Sequence, residues 1–180
     1  RLCEGACTKA KTPGGAVTIG AIERYLVDTA LTEGWLPPIT HTQLNKKIVV
    51  IGAGPAGLAC ADELSKAGCA VTVYDKHHTI GGLLDSGVPA FKLDPALLQR
   101  RRQLLERQGV VFRLDTMVGA SMLQDLLQSH DALFLGSGAQ TARDACLPGQ
   151  LLAGVTDALC YLESANRQHN PHSLAGKQVL

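Results

Sequence analysis

Hydrophobic positions along the chain follow two different periods. From Val17 the apolar residues Ile19, Ile22, Leu26 and Ala30 fall on one stripe at helical spacing, and Gly34 closes that segment. Trp35-Leu36-Pro37-Pro38 then leads out as an extended linker, since a residue before proline is driven from helical conformation. From Lys46 onward strand and helix patterns alternate. Ile48-Val49-Val50-Ile51 is a short unbroken apolar run, as expected of a parallel strand buried on both faces. Pro55 suits a first helical turn, Leu58, Ala61 and Leu64 supply an inward face, and Gly68 stops the helix. Ala70-Val71-Thr72-Val73-Tyr74 is the second strand. Asp94-Pro95 begins a helix as cap and first residue, running towards Gly109. Val110-Val111-Phe112 is a third strand, Ser121 to Ser129 a short helix, and Ala132-Leu133-Phe134-Leu135 a fourth strand. A last helix covers Asp157 to Asn166, and Gly176-Lys177-Gln178-Val179-Leu180 reads as a strand just starting.

This pattern predicts a small helical unit over residues 1–45, an α/β domain with a parallel sheet and βαβ connections over 46–150, and a connector over 151–180. A chain that stops inside an element is expected to be a fragment.

Composition narrows the class. With 46% hydrophobic and 18% charged residues the chain buries a core rather than staying disordered. A net charge of +1 gives no field to favour nucleic acid or a membrane surface as partner. No apolar run approaches the ~20 residues that span a bilayer, and the first residues do not form a signal peptide. A cytoplasmic location is the expectation. Cys60, Cys69, Cys146 and Cys160 stand singly among apolar or small neighbours and read as buried, inert thiols. Cys3 and Cys7 are spaced so that two thiolates can face one object. Glu23 projects within the stripe of Ile19 and Leu26, where a carboxylate needs a partner or an edge position reaching solvent.

The main candidate site is Gly52-Ala53-Gly54-Pro55-Ala56-Gly57, a G-x-G-x-x-G between a buried strand and a helix. Gly52 permits the tight turn, Gly54 lets backbone approach a pyrophosphate, and Gly57 lets the helix pack close to the strand. The helix start offers unpaired N–H groups and a positive dipole end to the anion. Asp75 closes the second strand, where an acid accepts hydrogen bonds from an adenosine ribose. The fingerprint serves NAD and FAD alike. Ala132 to Leu135 runs into Gly136-Ser137-Gly138-Ala139, small residues that let the chain pass close to a cofactor, as in flavoproteins with two dinucleotides.

Together these segments resemble the glutamate synthase small-subunit-like oxidoreductases, which include the amino-terminal half of dihydropyrimidine dehydrogenase. The resemblance is carried by Leu2-Cys3-Glu4-Gly5-Ala6-Cys7-Thr8, by Gly15 through Tyr25, and by Gly34-Trp35-Leu36-Pro37-Pro38. It continues through Val50 to Leu58, Gly81-Gly82-Leu83-Leu84, Gly87 through Leu93, and Leu147-Pro148-Gly149. It implies a Rossmann-like FAD-binding domain preceded by a small α-helical, ferredoxin-like cluster-binding segment. NADPH would give a hydride to FAD, and electrons would leave through [4Fe–4S] clusters to an electron-accepting domain or subunit. By the same resemblance FAD contacts fall on Gly52 through Ala56, on Asp75 and its loop through Gly82 and Leu83, and on Lys92 and Val118. Cys3 and Cys7 match cluster ligands, and Glu23 matches a polar position against a cluster. Two ligands fall short of the ~4 a cubane requires, so an intact cluster is not expected in this chain.

No side chain is nominated as catalytic, since hydride chemistry belongs to the cofactors. His77 and His78 read as solvated loop residues, and Arg100-Arg101-Arg102 as a solvated helix face. His169 and His172 flank Pro171 in a linker without metal spacing. Two other readings stand beside this one. A simple NAD-dependent dehydrogenase would need a substrate domain with acid–base residues, and a non-catalytic module would use the cofactor fold only for docking.

Overall fold

The computed structural model describes residues 2–35, 43–139, 141–144, 146–166, 174 and 176–179. The chain divides into two compact units, Arg1–Thr40 and His41–Leu180. In the first, α1 (Leu2–Gly5) and a 3-10 turn (Thr8–Lys11) precede α2 (Ile19–Thr32). Glu4 Oε1 accepts the Gly20 N–H at 3.3 Å, giving one of the free N–H groups of the α2 amino terminus a partner. Gly34 ends α2 at φ 68°, and Trp35 N–H returns to Ala30 O at 2.8 Å in a Schellman turn. The expected apolar stripe exists but is not buried: Ile19, Ile22 and Leu26 are 39%, 44% and 54% exposed. Glu23 is also exposed, so its carboxylate is not stranded in a core.

The second unit runs β1 (Lys47–Ile51), α3 (Pro55–Lys66), β2 (Ala70–Tyr74), α4 (Leu83–Ser86), α5 (Pro95–Arg107), β3 (Val111–Arg113), α6 (Ala120–Ser129), β4 (Ala132–Leu135) and α7 (Ala158–Asn166). The four strands form one parallel sheet in the order β3-β2-β1-β4. Ile51 pairs with Tyr74 on one side and Leu135 on the other. Gly52, Asp75 and Gly136 therefore follow the sheet at the same edge. The chain runs outward from β1 through β2 to β3 and then crosses back to place β4 on the other side of β1. Ligands of such sheets sit where the order reverses, outside the carboxyl ends of the strands.

Val49, Val50 and Val73 are fully buried in the sheet, and Val50 and Val73 share one core cluster with Leu58 and Ala61 of α3 and Leu105 of α5. Asp94 caps α5 through Ala96 N–H at 2.9 Å. Asp131 joins the starts of β1 and β4, accepting from Lys46 Nζ and Lys47 N–H, both at 2.8 Å.

Several expectations are corrected. The third strand starts at Val111, because Val110 N–H is spent on Leu105 O at the end of α5. Residues 176–179 form a turn and irregular chain, not a strand, and Leu180 lies outside the described residues. Cys146 and Cys160 are exposed, while Cys60 and Cys69 are half-buried at the margin of the core cluster, against which both pack. Burial raises the Cys60 thiol pKa. Arg101 is not a purely solvated residue: its guanidinium meets Asp62 Oδ2 at 2.8 Å, pinning α5 to α3. Leu36, Pro37, Pro38, His169, Pro171 and His172 lie outside the described residues. Among the described residues no helix is long and apolar enough to cross a membrane.

Candidate dinucleotide-binding site

The site begins with three backbones forced together. A Cβ at Gly57 would stand 3.0 Å from Gly52 C and closer still to its oxygen, so only hydrogen fits between α3 and the end of β1. Gly52 holds φ 105°, and a Cβ there would lie 2.7 Å from Gly136 C. Gly136 N–H bonds Ile51 O and Gly52 N–H bonds Tyr74 O, both at 2.7 Å, so β4 and β2 clamp the turn from both sides.

Gly54 differs, because a Cβ there would meet nothing within 4 Å. Its free face borders a cleft of about 570 Å³. The cleft is lined by Gly52, Gly54, Pro55 and Ala56 at the floor, Asp75, Lys76 and His77 after β2, Gly82 and Leu83 at the start of α4, Thr116 to Val118, and Leu135 to Ala139. A Gly54 side chain would project towards this cradle, and Pro55 and Ala56 of the first turn of α3, where helical N–H groups lack intrahelical partners, line it. The residues present therefore fit a dinucleotide.

Most predicted residues converge here: Gly52, Gly54, Pro55, Ala56, Asp75, Gly82, Leu83 and Val118 line the cleft. Ala53 and Gly57 are buried beneath it and act through packing and backbone. Lys92 is exposed and does not line the cleft. Thr116 and Met117 are lining residues that the sequence reading missed, and their only signal is their place after the third parallel strand.

Asp75 is more constrained than the motif suggests. Its Oδ2 accepts the Ala53 N–H at 2.7 Å, and its Oδ1 accepts the His77 N–H at 2.8 Å with His77 Nδ1 at 2.9 Å. His77 is thus a partner of the acid and not a solvated loop residue, while His78 is exposed as expected. The acid ties the glycine turn to the end of β2. A second cavity of about 520 Å³ shares Lys76, His77 and Gly82 with the first and extends past Asp85 and Leu98 to Asn166. Asn166 Nδ2 donates to Ser86 O at 2.9 Å and Val88 O at 3.0 Å, fixing α7 against the chain after α4.

In the first unit, Cys3 is exposed and Cys7 half-exposed. Backbone N–H groups of Val17, Lys9 and Ala10 lower the Cys7 thiol pKa, led by Val17. Among the described residues no three His, Cys, Asp or Glu side chains converge as a metal site. Cys3 and Cys7 supply at most two of the ~4 ligands a cubane needs, and the described residues hold no complete donor set for one.

Fold and cleft define a Rossmann-like dinucleotide-binding domain, and the NAD(P)-binding Rossmann-like domain family matches residues 50–99. Over nearly its whole length the chain is homologous to the glutamate synthase small chains and to oxidoreductases related to them. It is 51% identical over 93% of its length to AegA of Escherichia coli K12, a protein named only provisionally as an oxidoreductase, and spans 26% of it. It is 46% identical over 93% of its length to the glutamate synthase [NADPH] small chain of E. coli K12, and spans 36% of it. The chain thus covers well under half of these relatives. Among solved structures, Mycobacterium tuberculosis FprA in complex with NADPH aligns at 25% identity and a TM-score of 0.61, over 68% of this chain and 29% of FprA.

Proposed function

We propose that the chain supplies the FAD cradle of an NAD(P)H-dependent oxidoreductase that passes electrons to an acceptor domain or subunit. The observation that carries this reading is the cleft at the carboxyl ends of β1, β2 and β4, with the open face of Gly54 and the acid Asp75 on its walls. The relatives' names support the oxidoreductase class, and the name glutamate synthase [NADPH] small chain carries NADPH, the nucleotide proposed as hydride donor. Residues 46–150 are the first part of the FAD domain, 151–180 a connector towards a nicotinamide-binding domain, and 1–45 a helical segment. The protein acts in the cytoplasm.

Bound FAD would supply hydride acceptance and single-electron release. The chain's residues bind and orient. Gly52 and Gly54 bring backbone to the pyrophosphate, the amino terminus of α3 offers N–H groups to it, and Asp75 accepts from the adenosine ribose. Leu83, Val118 and Leu135 give the cleft apolar walls. Cys3 and Cys7 would contribute at most two thiolates to a cluster completed from elsewhere, and no step is routed through one.

The test is a visible spectrum after incubation with excess FAD and desalting. Retained flavin absorbance, lost in Gly54→Leu, supports the reading. A colourless sample, repeated with a longer protein containing this chain, sinks it.

A further inference from the structure

We propose that His77 makes Asp75 a reader of one ribose hydroxyl rather than two. The inference rests on the dinucleotide reading above and goes beyond it by assigning a specificity-determining residue. A carboxylate presents about four lone-pair positions. In Asp75 three are engaged: Oδ2 by Ala53 N–H at 2.7 Å, and Oδ1 by His77 N–H at 2.8 Å and His77 Nδ1 at 2.9 Å. Two of these donors are backbone groups held by the glycine turn and the chain after β2, so a ligand cannot displace them without opening the fold. The third is the imidazole, half-buried at 32% exposure beside a carboxylate at 9%. Because an ionised carboxylate only accepts, Nδ1 of that ring carries the proton in this contact.

Both side chains line the cleft. One acceptor position therefore remains, on Oδ2, and it takes a single hydroxyl of an adenosine ribose. The second hydroxyl finds the matching position on Oδ1 already filled by His77. An acid at this place with a free Oδ1 would take both hydroxyls of the ribose diol.

Calorimetric titration of the whole chain with ADP, 2′-deoxy-ADP and 3′-deoxy-ADP tests this. In the wild type one deoxy analogue binds about tenfold more weakly than ADP, the worth of one charge-assisted hydrogen bond, and the other binds within about twofold. In His77→Phe both analogues lose about tenfold, because Oδ1 becomes available. His77→Asn, which returns a donor beside Oδ1, restores the wild-type pattern. Equal losses for both analogues in the wild type, or a His77→Phe profile identical to wild type, overturn the proposal. Should His77→Phe not fold, nitrogen-15 shifts of the wild-type imidazole decide: a protonated Nδ1 supports the proposal, and a neutral ring protonated only at Nε2 overturns it. Failure of the wild type to bind both ADP and FAD rejects the dinucleotide reading itself, and this inference with it. Binding with the wrong hydroxyl profile rejects this inference alone.

Discussion

Gly54 and Gly57 lie in one motif yet carry separable loads, and alanine at each position distinguishes them. At Gly57 the new methyl would meet Gly52 C at 3.0 Å, Gly52 O closer still, and Val50 Cγ1 at 3.2 Å. The nearest two atoms are backbone and cannot swing aside as a long side chain would. Strand β1 and helix α3 must separate, disturbing a core whose Val50 and Leu58 are 0% and 5% exposed. Overpacking typically costs about 1–3 kcal/mol, and a rigid obstacle places Gly57→Ala at about 3 kcal/mol or beyond. At Gly54 a methyl meets nothing within 4 Å, and φ −75°, ψ 179° suits any residue. Gly54→Ala loses only an N-cap preference, costing about 1 kcal/mol or less. Its methyl projects into the space phosphate oxygens must enter to reach the N–H groups of α3, so FAD binding weakens by about tenfold or more. Urea unfolding followed by circular dichroism gives the stabilities, and flavin fluorescence titration gives the affinities. A Gly57→Ala protein as stable as wild type would refute the close packing of turn and helix. Gly54→Ala binding FAD normally would remove that residue's open face as the pyrophosphate approach.

Other consequences follow from the core and the charged pairs. Leu105→Ala should cost about 3 kcal/mol in urea unfolding, since the side chain is fully buried between α5 and the sheet. Burial acts to raise the Asp62 carboxyl pKa, but hydrogen bonds from Lys66 and Arg101 outweigh it and hold the pKa below its usual value. A depressed carboxylate pKa stabilises the fold above the unfolded-state value near about 4 and loses that contribution as pH falls through the folded value. Melting temperatures should therefore drop more steeply below pH ~4 in the wild type than in Asp62→Asn. Under native conditions a thiol reagent should modify exposed Cys146 and Cys160 faster than half-buried Cys60 and Cys69, checked by mass spectrometry of the labelled peptides. Preferential labelling of Cys60 would contradict the packing of α3.

The hydrophobic pattern by itself determined the order of the strands and of α3, α5, α6 and α7 in the second unit, but not the single turn α4, which falls in the segment read as a glycine loop. The unbroken run at Ile48–Ile51 fits a strand covered on both faces, and Pro55 and Gly68 bracket the helix that follows at its observed limits. The glycine motif between them identified the phosphate end of the cleft, because local backbone chemistry specifies that turn. The stripe on α2 was equally legible, but its burial was not: periodicity records a face and says nothing of what covers it. Cys146 and Cys160 failed for the same reason, since small neighbours do not bury a thiol. Tertiary structure alone decided which strand ends meet. It set β4 beside β1 and β3 beside β2, bringing Leu135 to Ala139 and Thr116 to Val118 to the glycine turn. It also aimed Ala53 N–H at Asp75 and Arg101 at Asp62, across separations no spacing rule reaches, whereas His77 meets Asp75 locally from two residues along the chain. Periodicity and turn chemistry act over a few residues and are written in sequence. A carboxylate's partners depend on where the sheet brings distant loops together, and that is settled only when the core has formed.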